Sequence, residues 1–383
     1  MKTEAPAILF LGSKEFPFGT NQGQDPIKSG GIETYVETLA KALSRKARIT
    51  VVTREFRGSP STEVVDGVRV ERVPWIHGFF LRNPSFNLFS FAKALTLDCD
   101  LIHAHGLVAG LFGLKAARLR GKKIIVTPHG IASGQYSAAL NAVLLGLEKL
   151  VYGSADATVF LSEGEKKRFA EKGIFAKNAV VIPTGIDLKS FDRKKHSTQA
   201  TRLKKELRIN GKTVVTFVGR LVAVKGVNYL LEAFAEIAGK NCALLVVGDG
   251  PERKTLETKA KELGLREKAF FLGERTDMPA IYAASDVFAL PSLSEGVPVT
   301  LLEAMASGCA PILTDIGLPV EKGVDALVVK PGDVESLAEA LKQLCGSDGL
   351  RSRISANALK NSKKFSREKM AEAHARLYEK LLN

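Results

Sequence analysis

Two glutamates eight positions apart, Glu295 and Glu303, enclose the apolar run Gly296-Val297-Pro298-Val299-Thr300-Leu301-Leu302. A carboxylate pair can share acid and base roles in cleaving a glycosidic bond, but only at a separation of about 5–9.5 Å. Pro298 suits the first helical position and Gly308 the position just past the end. Glu295 then falls in the loop before the helix and Glu303 inside it. A rise of about 1.5 Å per residue spreads the eight positions over roughly 12 Å, which disfavours a hydrolytic pair. Two contacts along one extended, anionic, sugar-bearing ligand fit better, with the N–H groups of Gly296 and Val297 suited to a phosphate between them.

Other stretches offer compatible chemistry. Gly219-Arg220-Leu221 follows an apolar strand and Lys225-Gly226 opens the next helix. An arginine fork and a lysine point charge beside a helix N-terminus make a site for a group with at least two negative charges, such as a diphosphate. A solvated basic loop is the plainer reading of that turn taken alone. Gly30-Gly31 precedes a helix after a long loop from Gly12, and paired glycines let backbone N–H groups approach phosphate, although a simple helix start accounts for them too. His103 and His105 point to one face of a strand, and His129 ends the next strand, so the three suggest a polar floor at strand ends. Gly248-Asp249-Gly250-Pro251 lacks the third glycine of a dinucleotide fingerprint, with Arg253 in its place, and reads as a tight strand-to-helix turn. Asp98-Cys99-Asp100 spells a D-x-D metal motif but sits at a helix-to-strand junction; no zinc spacing occurs, and no metal is expected.

The elements that must position these residues are short β-branched runs alternating with amphipathic helices. Runs at 7–11, 49–53, 68–73, 101–103, 124–127, 158–161 and 180–182 predict one sheet; those at 213–218, 243–247, 270–272, 287–290, 311–313 and 327–329 predict a second. Helices are predicted over 33–44, 108–119, 227–238, 252–263, 299–306 and 334–344, among others. Near-continuous apolar strands covered by helices mean parallel sheets, hence an α/β chain of two doubly wound, Rossmann-like domains. The predicted boundary follows Pro183-Thr184-Gly185-Ile186-Asp187, where the chain turns basic, which gives domains over 1–190 and 191–365. Ligands of such sheets sit beyond the carboxyl ends of the strands at the switch point, so a cleft between the two domains is the place to seek chemistry.

Composition sets outer limits. A chain of 383 residues, 45% hydrophobic and 25% charged, is globular and exceeds one small core. The net charge of +14 divides as +8 over 1–190 and +6 over the rest. That even spread argues against a nucleic-acid face, which would concentrate it, and suits anionic small substrates or an anionic membrane surface. Four scattered cysteines without C-x-x-C spacing suggest reduced thiols in a cytoplasmic protein. No run is long enough to span a bilayer. Six aromatic residues crowd positions 75–91, from Trp75 to Phe91: they form either core beneath a loop and helix, or a membrane-touching patch beside Arg82 and Lys93.

The ordered set Gly30-Gly31, His103-Ala104-His105-Gly106, His129-Gly130, Pro183 to Asp187, Gly219-Arg220-Leu221 with Lys225-Gly226, Gly248 to Pro251, Phe271-Leu272-Gly273, Asp286 to Ser292 and the E-x7-E stretch resembles the retaining nucleotide-sugar glycosyltransferases of family four. The resemblance covers nearly the whole chain and implies the GT-B fold, with acceptor-side and donor-side domains and a last helix (366–383) crossing back to the first. It implies that Arg220 and Lys225 neutralise the donor diphosphate and that Gly31, Gly296 and Val297 add backbone donors. Glu303 would bind the ribose, Glu295 the hydroxyls of the transferred sugar, and His129, near His105, that sugar at the reaction centre. Leu272 and Gly273 lie where backbone groups meet the base. The implied reaction moves a hexose from a UDP- or GDP-sugar with retention, without metal or cofactor, to an acceptor left open among glycans, lipids and small molecules. Alternatives on the same fold are a nucleotide-sugar epimerase, a phosphorylase holding pyridoxal on a lysine, or a membrane-associated lipid glycosyltransferase. Thr184 replaces a common asparagine, and the segment 315–325 is shorter than its usual glycine-rich counterpart.

Overall fold

The structure is a computed structural model and describes residues 5–17, 30–78, 81–133, 137–237, 241–296 and 298–383. The chain forms two compact units: unit 1 comprises Met1–Gly185 and Arg367–Asn383, unit 2 Ile186–Ser366.

Unit 1 runs β1 (Ala7–Leu11), α1 (Gly31–Leu43), β2 (Arg48–Arg54), β3 (Thr62–Val65), β4 (Val68–Val73), α2 (Arg82–Thr96), β5 (Leu101–His105), α3 (Leu107–Arg120), β6 (Lys123–Thr127), α4 (Ala138–Ser154), β7 (Ala157–Phe160), α5 (Glu163–Glu171) and β8 (Ala179–Val181). Its sheet order is β3-β4-β2-β1-β5-β6-β7-β8, so the winding direction reverses between β1 and β5. All pairings are parallel except β3 with β4, an antiparallel hairpin in which Val65 faces Val68. The expected all-parallel sheet missed this pair. Asp66 and Gly67 take positive φ of 51° and 80°, and Asp-Gly is the two-residue turn that matches strand twist. Strands β1 and β5 are buried along their whole length, as a sheet covered on both faces requires.

Unit 2 runs α6 (Ser197–Glu206), β9 (Thr213–Val218), α7 (Val227–Ile237), β10 (Cys242–Val247), α8 (Arg253–Glu262), β11 (Ala269–Gly273), α9 (Met278–Ala284), β12 (Val287–Leu290), α10 (Val299–Ala306), β13 (Ala310–Thr314), β14 (Leu327–Val329), α11 (Val334–Gly346) and α12 (Asp348–Ser362). The order β11-β10-β9-β12-β13-β14 is all parallel and reverses between β9 and β12. After unit 2 the chain returns to unit 1 as α13 (Arg367–Leu382). Among the described residues no helix is long and apolar enough to cross a membrane.

Candidate active site

In unit 2 the candidate residues collect where the sheet reverses. The loop after β9 carries Arg220 and Lys225; the loop after β12 carries Glu295. A backbone bond fastens the two loops, since Leu293 N–H donates to the Val224 carbonyl at 2.8 Å. Lys225 Nζ forms an ion pair with Glu295 Oε1, which also accepts from Ser292 Oγ at 3.1 Å. Arg220 is exposed, and its guanidinium has no partner among the described residues. Two cations therefore stand at the switch point, one of them already neutralising a carboxylate.

The turn after β10 backs this arrangement. Gly219 N–H donates to the Val247 carbonyl at 3.0 Å, and Leu221 N–H to the Asp249 carbonyl at 2.9 Å. A Cβ on Gly248, at φ 126°, would lie 2.0 Å from the Gly219 carbonyl oxygen, so only glycine permits this approach. Arg253 is held by Asp249 and Glu257, each at 2.9 Å, and lies against Gly273. Leu272 is half-buried on the core of unit 2.

Helix α10 begins at Val299, with Pro298 as its N-cap rather than its first residue, and ends at Ala306, capped by Ser307 and followed by left-handed Gly308 at φ 71°. Glu303 stands within it, half-buried, and accepts a hydrogen bond from Tyr282 OH at 2.9 Å. Burial raises its carboxyl to about 7, against the Tyr282 hydrogen bond, which favours the charged form. Gly296 is exposed beside this helix, whereas Val297 lies outside the described residues.

In unit 1 the site candidates belong to a cluster of imidazoles. His105 Nδ1 and His129 Nε2 are 3.2 Å apart, and the Tyr35 ring, from α1, stands edge-on to His129 at 4.8 Å. His129 takes φ 59° and Gly130 φ 111°, a conformation that a non-glycine residue adopts only when its surroundings impose it. Glu165 imposes it: its buried carboxylate accepts from Gly130 N–H at 3.0 Å and Leu161 N–H at 2.7 Å. Burial lowers the His129 pKa to about 3, so the imidazole is neutral at ordinary pH. His105 is buried, and its Nε2 has no partner among the described residues.

The expected polar floor of three histidines is corrected at His103, which is fully buried. Its Nδ1 meets Tyr378 OH and its Nε2 meets Thr127 Oγ1, both at 2.8 Å. A fourth imidazole, His374 from α13, donates Nδ1–H to the Met370 carbonyl at 2.9 Å, so its Nε2 accepts from Tyr35 OH at 3.2 Å. Gly31 opens α1, one turn before Tyr35. A Cβ on Gly30 or Gly31 would meet nothing within 4 Å, and Glu33 closes the helix start by accepting Gly30 N–H at 2.8 Å.

Two further expectations find their outcome in unit 1. Asp98 pairs with Arg48 at 3.8 Å, and Asp100 accepts Ala7 N–H at 2.8 Å, so the D-x-D letters serve a strand junction. The 75–91 aromatic segment splits: Trp75 stacks under the Arg54 guanidinium and Phe86 is core, while Ile76, Leu81, Leu88 and Phe89 are exposed. Phe79 and Phe80 lie outside the described residues. The basic flank assigned to that patch is corrected, since Arg82 is buried and Lys93 pairs with Glu71 at 3.0 Å.

Tyr35, Tyr282, Glu165 and His374 were not singled out from sequence. Only Glu165 carried a signal, because Ser162-x-x-Glu165 spells a capping box; Ser162 Oγ does accept Glu165 N–H at 3.0 Å, but the Glu165 carboxylate turns to Leu161 and Gly130 instead of Ser162 N–H.

Two parallel-sheet units, each with its candidate residues beyond the strand ends, define the GT-B class of nucleotide-sugar enzymes. Residues 29–190 match the family described as Glycosyltransferase Family 4, and residues 199–361 that described as Glycosyl transferases group 1. Among relatives, the UDP-Gal:alpha-D-GlcNAc-diphosphoundecaprenol alpha-1,3-galactosyltransferase of Escherichia coli is 30% identical over 82% of this chain and 84% of its own. The D-inositol 3-phosphate glycosyltransferase of Corynebacterium jeikeium (strain K411) is 28% identical over 92% of each. Sucrose-phosphate synthase from Thermosynechococcus elongatus superposes with a TM-score of 0.82 at 23% identity, over 98% of this chain and 99% of that one. The chain belongs to glycosyltransferase family 4 and is a glycosyltransferase that uses nucleotide sugars.

Proposed function

We propose that the protein transfers a hexose from a nucleoside-diphosphate sugar with retention at the anomeric carbon and without a metal ion. The observation that carries this reading is the meeting of Lys225 and Glu295 at the switch point of unit 2, with exposed Arg220 on the same loop as Lys225. Arg220 and Lys225 take the diphosphate, Glu295 the hydroxyls of the sugar, Glu303 the ribose, and the segment around Leu272 and Gly273 the base. Gly296 and Val297 add N–H groups to the phosphate. In unit 1 the candidates for sugar and phosphate contact are neutral His129, with His105 against it, and the open helix start at Gly31.

In the step itself, the bond from the anomeric carbon to the phosphate oxygen breaks and its electron pair leaves with the diphosphate, whose charge the two cations stabilise. The acceptor oxygen bonds to the same face of that carbon, and its proton passes to the departing phosphate. Fixed cations supply the stabilisation that a metal would otherwise give.

A thermal-shift screen of UDP-, GDP- and ADP-sugars, with and without EDTA, tests donor and metal independence together; stabilisation that disappears with EDTA overturns the latter. Product stereochemistry by NMR tests retention. Arg220→Ala should abolish transfer and donor-induced stabilisation while leaving the melting temperature of the free protein unchanged, and full activity in that variant would sink the site.

A second reading concerns the acceptor. Ile76, Leu81, Leu88 and Phe89, exposed apolar residues within fourteen positions of unit 1, suit contact with a lipid surface. Vesicle co-sedimentation unchanged by Leu88→Ser/Phe89→Ser disposes of it.

A further inference from the structure

Unit 2 contains a cavity of about 820 Å³ at the opposite end of its sheet from Arg220 and Lys225. Its position follows from Arg193, which lines it and donates to the carbonyls of Ala283 (3.0 Å), Gly308 (3.3 Å) and Ser285. Those residues precede β12 and β13, whereas the switch-point residues follow β9 and β12. The volume is within the range of small-molecule sites.

Six cations line the cavity: Lys189, Arg193, Lys194, Lys195, Lys204 and Lys363, against Asp192 as the lining carboxylate. Asp286 neutralises Arg193 at 3.5 Å and Lys204 at 3.8 Å, and Lys195 Nζ donates to the Lys189 carbonyl at 3.3 Å. The ammonium groups of Lys189, Lys194 and Lys363 have no carboxylate within ion-pairing distance among the described residues. Like charges gathered around a concavity raise its affinity for anions. Leu188, Ala200 and Leu359 give the lining an apolar part.

We propose that this cavity is a second ligand site, distinct from the donor site, which binds an organic phosphate. The phosphoryl group lies among Lys189, Lys194 and Lys363, and the apolar body of the ligand rests against Leu188, Ala200 and Leu359. A soluble phosphate ester and a phospholipid headgroup share this chemistry.

Titration calorimetry on the full chain with 1-naphthyl phosphate as probe tests the site. Binding should be saturable and should persist in Arg220→Ala/Lys225→Ala, which removes the donor-site cations. It should weaken about tenfold or more in Lys194→Glu/Lys363→Glu, where two attractions become repulsions. It should not change in Lys254→Glu/Lys261→Glu, exposed cations of α8. Absence of saturable binding, loss in Arg220→Ala/Lys225→Ala, or equal affinity in Lys194→Glu/Lys363→Glu overturns the proposal. Competition by phosphatidic acid vesicles, but not phosphatidylcholine vesicles, assigns a lipid source; binding without such competition assigns a soluble one.

Discussion

Replacing Glu303 with glutamine should stabilise the protein while weakening its hold on the donor. Burial raises this carboxyl from 4.5 to about 7, so between those values the native state keeps a proton that the unfolded chain has released. Stability therefore falls as pH rises through that window, and the full cost is present above about 7. A shift of that size corresponds to about 3 kcal/mol, or about 2 kcal/mol once the residue's partial exposure to solvent is allowed for. Glutamine keeps an oxygen for the Tyr282 hydroxyl and cannot ionise. In the absence of donor, Glu303→Gln should melt about 4–8 °C higher than the parent at about pH 8, and at the same temperature at about pH 4.5. In calorimetric titrations, parent donor affinity should fall about tenfold per unit as pH drops below 7, while the variant binds weakly with little pH dependence. Equal melting temperatures at the alkaline end, or a gain that persists undiminished in acid, would refute the account of Glu303 as a charge kept under strain for a ligand.

Unit 1 should be acid-labile, because burial holds His129 to about 3 and His374 to about 4. The unfolded chain takes up both protons below about 6.5, so stability is lost as pH falls, by about 4 kcal/mol for the pair at pH 5; a flat urea-unfolding series from pH 7 to 5 would contradict this. Lys225→Met should lower kcat/KM about 100-fold or more, as expected when a transition-state cation is lost, with partial return in Lys225→Arg; unchanged steady-state kinetics would exclude that role. Glu165→Gln should cost about 1–3 kcal/mol, since one amide oxygen replaces a carboxylate serving two backbone N–H groups, and should reduce kcat more than donor KM. Asp98→Ala should alter stability by no more than about 0.5 kcal/mol and leave activity in EDTA unchanged.

The α/β class and the elements that build the switch points were legible because buried parallel strands write themselves as unbroken apolar runs. Strands β4, β9, β12 and β14 and helix α10 have the predicted bounds. The β3–β4 hairpin was missed because β3 is a half-exposed edge strand whose Thr-Glu-Val-Val gives no apolar run, although Asp66-Gly67 marked its turn. The geometry deduced for Glu295 and Glu303 relied on helix rise and end residues, which are local, and loop-plus-helix placement is what the fold shows. Partners brought in from a distance were not legible. Tyr282 reaches Glu303 from α9, and His374 reaches Tyr35 from a helix 339 residues away in sequence. Nothing in the spelling around those residues announces such meetings. His103 shows the converse error, since strand periodicity fixes the face a side chain takes but not whether α13 covers it.

The return of α13 to unit 1 has a bearing on the order in which the protein can be made. Tyr378 and His374, which satisfy His103 and Tyr35, are synthesised only after the whole of unit 2. The unit that begins first is thus finished second, and its imidazole cluster waits unsealed while the later unit acquires every strand it needs. A chain truncated after residue 366 should accordingly carry a protease-resistant unit 2 and a protease-sensitive unit 1. Equal resistance of both would show that the cluster closes without its last helix.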